Sequence, residues 1–240
     1  MAQGESVSEE GKNRPFPSGK KAASRVVVSI ALILAIVFVP AGTLRWPEAW
    51  VFLLLYLSMV AGFFLWAKKK DPALLKERAS PQKYVKPWDR TLIRIYSFFL
   101  VLMVIVAGLD AVRFRWSHLP LKWTVLGFAG LILAMLLVLW VMRENTFASS
   151  VVRIQTDRGH RVCSTGPYRH VRHPMYVGVI LSIISLPPAL GSIFALIPAG
   201  IIVGLFILRT SLEDKALQQE LPGYREYAQK VRFRLIPRVW

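Results

Sequence analysis

Residues 175–208, MYVGVILSIISLPPALGSIFALIPAGIIVGLFIL, run for 34 positions without an Asp, Glu, Lys or Arg. As one α-helix this stretch would be about 50 Å long, well beyond the ~30 Å hydrocarbon core of a bilayer. Pro187, Pro188 and Gly191 interrupt it, and such residues end or bend helices. The stretch therefore reads as a hairpin of two helices with its turn near those residues. The first arm, residues 175–186, would reach only about 18 Å. Its turn is then expected within the protein part of the bilayer, where freed backbone groups must find partners in neighbouring helices.

Upstream, residues 26–44, 49–67 and 123–142 are also free of charged side chains, and residues 91–112 are touched only by Arg94 and Asp110 near their ends. Each is about as long as a membrane crossing. The 54% hydrophobic content of the 240 residues and the mean hydropathy of +0.44 agree, since soluble domains hold roughly 45–50% apolar residues. The expected fold is all-α: a polytopic integral membrane protein of about six membrane segments, the last two a helical hairpin. Three regions follow, namely a disordered basic tail (1–25), four transmembrane helices (26–142) and a polar-loop, hairpin and amphipathic region (143–240).

Charge orients this topology. Lys and Arg number five before the first segment, nine in 68–94, six in 143–172 and seven from 209 onward, 27 in all, against one, three and none in the intervening turns. The positive-inside rule puts the 27, and both termini, in the cytoplasm. A single crossing over residues 175–208 would place the last seven outside. The formal net charge of +17 then describes a face meeting anionic lipid headgroups, with nucleic acid excluded as the expected partner. Lone Cys163 permits no internal disulfide and lies on the reducing side. The first apolar run lacks a signal-peptidase site and reads as an anchor. Trp46, Trp50, Trp116 and Trp123 read as interfacial belts, and Asp110 as the partner of Arg113 or an interfacial acid.

Polar groups concentrate at the membrane edge in residues 145–178 and 209–240, which flank the hairpin and so share one side of the bilayer. In the first, Gly159 and Gly166–Pro167 are turn signals. Beyond them Arg169, Arg172, His173 and Tyr176 recur at spacings of three and four, one polar stripe if helical. His170 and His173 could reach a common ion, but zinc requires further Cys, His or carboxylate ligands, and no metal site is expected. In the second, Arg209 and Glu213 share a helix face, the arrangement of an intrahelical ion pair. An arginine at the exit of an apolar span is costly, however, and such charges tend to be functional. The segment GYREYAQKVRFRLIP alternates aromatic and basic residues, suited to lying on headgroups or closing over a pocket.

The motif GPYRHVRHPMYVG, an apolar hairpin, RTSLED and then LPGYREYAQKVRFRLIP, in that order, resembles the integral-membrane methyltransferases typified by isoprenylcysteine carboxyl methyltransferase. Upstream, NTFASSVVRIQTDRGH and KPWDRTL are similar to bacterial relatives. The resemblance implies an S-adenosylmethionine-dependent methyltransferase in the bacterial inner membrane. Its site would face the cytoplasm, and a lipophilic or lipidated acceptor would arrive sideways from the bilayer. It implies that Gly166, Pro167, Tyr168, Arg172, His173, Pro174, Tyr176, Glu213 and Asp214 hold the cofactor, with His160 and Val162 on a loop at its edge. Asp214 stands where the family commonly has a second glutamate. Arg209 and Glu213 are the implied catalytic residues, Arg209 orienting the acceptor and Glu213 facing the donor's cationic end. Arg172 would offer the donor's carboxylate a bidentate fork.

The implied reaction is transfer to a carboxylate. Transfer to a phospholipid or other amine or thiol is the first alternative, with Glu213 as base. A nicotinamide-dependent sterol or enone reductase and a non-catalytic lipid-binding protein are the others, and oligomeric state is open.

Overall fold

The structure, a computed structural model, describes residues 19–79 and 85–240. These form eight α-helices and, among the described residues, no strand. They are α1 (Gly19–Ala41), α2 (Pro47–Lys70), α3 (Pro72–Ala79), α4 (Pro87–Gly108), α5 (Leu121–Glu144), α6 (Pro174–Ala189), α7 (Leu196–Glu220) and α8 (Tyr224–Lys230). A wider turn over Leu109–Arg113 extends α4. Proline opens α2, α4 and α6, where its fixed φ suits the first turn and its missing N–H costs nothing. Residues 1–18 of the expected tail lie outside the described residues.

Four helices are long and apolar enough to cross a membrane: Pro47–Lys70, Pro87–Arg113, Leu121–Glu144 and Leu196–Glu220. Val27–Ala41 and Pro174–Ala189 are shorter apolar helices. Outward-facing Leu54, Leu65, Leu126, Leu133 and Leu136 are exposed, a surface that is stable only against lipid. The core runs between α1, α4, α6 and α7 through Phe38, Met103, Ile183, Ile202 and Phe206. α5 lies hard against α6. A Cβ at Gly127 would sit 2.4 Å from the backbone nitrogen of Ala189, and one at Gly130 would meet Ser185.

The hairpin forms as expected, but the prolines do not break its first arm. α6 runs through Pro187 and Pro188 to Ala189, and the turn follows with Gly191 at φ +81°. Prolines this near a helix end remove few hydrogen bonds, and the carbonyls of residues 186–188 are taken by the N–H groups of Leu190, Gly191 and Ser192. The freed donors of the turn go to Asp110. Its Oδ2 accepts from Ser117 Oγ (2.7 Å), Ser192 Oγ (2.5 Å) and the N–H groups of Ile193 and Phe194 (3.1 Å each). Asp110 is thus fully buried as a latch on the turn and does not pair with Arg113. Arg113 instead reaches the last carbonyls of α1. Trp46 is also buried, edge-on to Phe38, while Trp50, Trp116 and Trp123 face outward.

Candidate functional site

At the opposite end of the bundle from the hairpin turn, the starts of α4 and α6 meet the ends of α5 and α7. The two polar stretches meet there. Pro174 disfavours helix at the residue before it, and His173 has φ −125° and ψ 59°. Residues 170–173 are therefore not helical, and the expected stripe dissolves. Arg169 and His170 face solvent, Arg172 and His173 turn inward, and only Tyr176 stands on α6.

Arg172 and His173 converge on Asp214, a fully buried side chain on α7. Arg172 donates to it from Nε (2.7 Å) and Nη2 (3.0 Å). Tyr224 Oη, Gln218 Nε2 and Arg234 Nε add donors at 3.0, 2.8 and 3.1 Å, and His173 Nε2 lies 3.2 Å away. Arg172 Nη1 also donates to the carbonyls of Val231 and Arg232 at 2.8 Å each. The backbone N–H groups of Arg172 and His173 bond to the carbonyls of Phe233 and Arg234. Arg172 thus makes its fork to Asp214. The same two nitrogens do not grip a ligand carboxylate, because a buried carboxylate on the facing helix already satisfies both.

Beside this hub opens a cleft of about 810 Å³, counting its mouth. Tyr176 and Glu213 form its base: the Tyr176 hydroxyl donates to the Glu213 carboxylate, and the His173 ring lies parallel to Tyr176 with centroids 5.7 Å apart. One wall is residues 145–163, where Phe147 stacks on His160 at 4.8 Å. Gln155 fastens both, its N–H donating to His160 Nδ1 and its Nε2 to the Phe147 carbonyl. Burial, with Arg153 and Arg158 nearby, lowers the His160 pKa to about 4. The ring is therefore neutral at pH 7, with its proton on Nε2 because Nδ1 accepts. The other wall is Tyr168, Tyr224 and Tyr227. Asn145 Nδ2 donates to the Tyr168 hydroxyl (2.9 Å) and the Tyr227 hydroxyl to the Tyr168 carbonyl (2.7 Å). Burial raises all three phenols, which stay neutral.

Arg209 pairs with Asp89 at the start of α4, not with Glu213. Its Nε and Nη2 lie 2.7 and 3.2 Å from the two Asp89 oxygens, and Nη2 also donates to the Ser150 carbonyl. Its guanidinium covers the Tyr176 ring at 5.3 Å, on the cation–π scale.

Of the residues expected from sequence, His160, Val162, Tyr168, Arg172, His173, Tyr176 and Glu213 line the cleft. Gly166, Pro167, Pro174, Arg209 and Asp214 stand behind its walls. Gly166 serves the loop, with φ +55° and the Glu144 side chain where a Cβ would go. Sequence reasoning missed Asn145, Phe147 and the 149–153 wall, and gave Asp89 no role. Their one signal was polar residues just beyond apolar spans, in NTFASS and KPWD.

The fold and cleft define a class: a polytopic helical membrane protein with an aromatic, singly acidic site at one end of its bundle. Residues 125–219, from α5 almost through α7, match the model of the isoprenylcysteine carboxyl methyltransferase (ICMT) family. That match supports the family the motifs resemble, a family of membrane methyltransferases. No curated protein matches the chain.

Proposed function

We propose that the protein is an S-adenosylmethionine-dependent methyltransferase acting on a lipophilic, membrane-embedded acceptor, most simply a carboxylate as in isoprenylcysteine carboxyl methylation. The observation that carries the reading is the cleft's chemistry: one carboxylate, Glu213, among the faces of Tyr176, Tyr168, Phe147 and neutral His160, with Arg153 and Arg172 in the lining already paired to acids behind it and Arg161 at its edge. Aromatic faces and a lone carboxylate stabilise a cation held away from water, which fits a sulfonium donor. Val151, Met175, Leu217 and Leu221 supply apolar lining for the acceptor's tail.

When bound, the donor supplies a methyl group on a cationic sulfur; the C–S bond breaks as the acceptor oxygen forms its bond to carbon. The chain's contribution is placement. Glu213, fixed by Tyr176, sets the cationic end; the Phe147–His160 stack and the tyrosine wall exclude water. Holding two reacting groups in line contributes up to about 7–11 kcal/mol. A carboxylate acceptor needs no proton removed, so neutral His160 and the tyrosines suit this chemistry without a general base.

The helix ends and loops that build the cleft belong to the sequence segments richest in Lys and Arg, which supports a cytoplasmic site and cytoplasmic termini, with anionic lipids against that face. α1 and the 16-residue α6, about 24 Å long, would complete six segments in a bacterial inner membrane. The test is incubation of membranes containing the protein with methyl-labelled S-adenosylmethionine. The reading predicts label in lipid-extractable material or lipidated protein, released by mild alkali as an ester must be. Alkali-stable label would overturn the carboxylate acceptor, and absence of label above a Glu213→Ala control would overturn methyl transfer.

A further inference from the structure

Asp89 lies outside the stretch that matches the family, its side chain fully buried at the start of α4 and absent from the cleft lining. It nevertheless holds one wall of the cleft directly and reaches the cleft's base through Arg209. One oxygen accepts the Val152 N–H at 2.7 Å, holding the 149–152 wall, and both oxygens hold Arg209. Arg209 in turn covers Tyr176, whose hydroxyl holds Glu213. Arg209 is 5% exposed and, among the described residues, has Asp89 as its only ion-pair partner.

A buried guanidinium stripped of its counter-charge seeks another, because leaving it unpaired is among the costliest changes a fold can suffer. The next anion along α7 is Glu213, four residues on, and residues at that spacing are neighbours on a helix surface. Among the described residues Glu213 has no ion-pair partner and points its carboxylate to Tyr176 at the cleft base. We propose that Asp89 is a positioning residue whose pairing with Arg209 keeps that arginine off Glu213, leaving the glutamate free to face a cationic ligand in the cleft. Two acidic residues thus divide the work: Asp89 neutralises the arginine, and Glu213, held only by the Tyr176 hydroxyl, is left without an ion-pair partner among the described residues. The inference rests on the methyl-donor reading for the ligand's identity, but its geometry does not.

Calorimetric titration of detergent-purified protein with S-adenosylmethionine tests it. Asp89→Asn keeps an oxygen for the Val152 N–H but loses the charge, and is expected to weaken binding about tenfold or more. The double variant Asp89→Asn with Arg209→Gln removes the competing cation and is expected to recover affinity to within about threefold of wild type. A merely structural role would make the double variant worse. Asp89→Glu, which keeps the charge, is expected to bind like wild type. It and the double variant carry the test if the single Asn variant is too unstable to purify, a tenfold loss in either overturning the proposal. Wild-type affinity in Asp89→Asn, or no recovery in the double variant, also overturns it. A structure of Asp89→Asn or Asp89→Ala needs no ligand: the Arg209 guanidinium moved onto Glu213 supports the inference, and Arg209 unmoved overturns it. If wild type binds no S-adenosylmethionine, the functional reading fails while this structural arm still decides the role of Asp89.

Discussion

Replacing Asp214 by Asn changes almost no volume and removes one charge, yet its surroundings make the change severe. Oδ1 accepts from Arg172 Nε and the Tyr224 hydroxyl, and Oδ2 accepts from Arg172 Nη2, Gln218 Nε2 and Arg234 Nε. Turned toward Arg172 Nη2, Gln218 and Arg234, the NH2 of an amide faces donors only; turned the other way it meets Arg172 Nε and can donate only to the Tyr224 hydroxyl or His173 Nε2. Either way Arg172, 7% exposed, loses its counter-charge. Hydrogen bonds to charged groups contribute about 1.5–3 kcal/mol each, but those to the remaining oxygen are retained and such terms do not add. Breaking one side of a buried ion pair costs about 3–5 kcal/mol, which sets the scale of the loss. At roughly 2–4 °C per kcal/mol for a chain of this size, Tm should fall by about 10 °C. The assay is thermal unfolding in detergent followed by far-ultraviolet circular dichroism. Asp157→Asn serves as control: it also loses a pair with an arginine, Arg153, but Asp157 is 62% exposed and Arg153 keeps Glu77, so Tm should barely move. An Asp214→Asn Tm within about 2 °C of wild type would refute the idea that this carboxylate ties the 170–173 loop, α7, α8 and residues 231–234 together.

Gly127→Ala drives a methyl group into the backbone of Ala189, which cannot yield as a side chain would, and should cost about 1–3 kcal/mol, read as lowered Tm. Asp110→Asn should lower Tm by loosening the hairpin turn yet leave S-adenosylmethionine affinity unchanged, since the latch and the cleft are at opposite ends of the bundle; reduced affinity at unchanged Tm would contradict that separation. His160 has a folded pKa of about 4 against an ordinary 6.5, so folding favours its neutral form. Its contribution to stability is complete above pH 6.5 and is lost as pH falls toward 4, so wild type should lose more Tm over that interval than His160→Phe, and parallel curves would refute the assignment.

The hairpin was legible because an uncharged run longer than a bilayer must turn. That feature suffices to bring residues 145–178 and 209–240 to one end of the helix bundle. Partner choice was not legible. Spacing on one helix suggested Arg209 with Glu213 and Asp110 with Arg113, whereas the fold pairs Arg209 with Asp89 across 120 residues and gives Asp110 to a turn 82 residues away. Such choices depend on which helices pack together, and i to i+4 neighbours are all that a single helix reveals. The stripe from Arg169 to Tyr176 failed for a local reason, Pro174, that the sequence did contain. Trp46 shows the limit of composition, since a tryptophan beside a span is as able to fill the core against Phe38 as to face headgroups.

The proposed function requires a methyl donor to bind in the cleft between the His160 wall and Glu213. Isothermal titration of purified protein with S-adenosylmethionine, and separately with NADPH, addresses it directly. Saturable binding of S-adenosylmethionine at one molecule per chain, abolished by Glu213→Ala and unaffected by Asp110→Asn, is the predicted result. Binding of NADPH alone, or S-adenosylmethionine binding indifferent to Glu213, would contradict it.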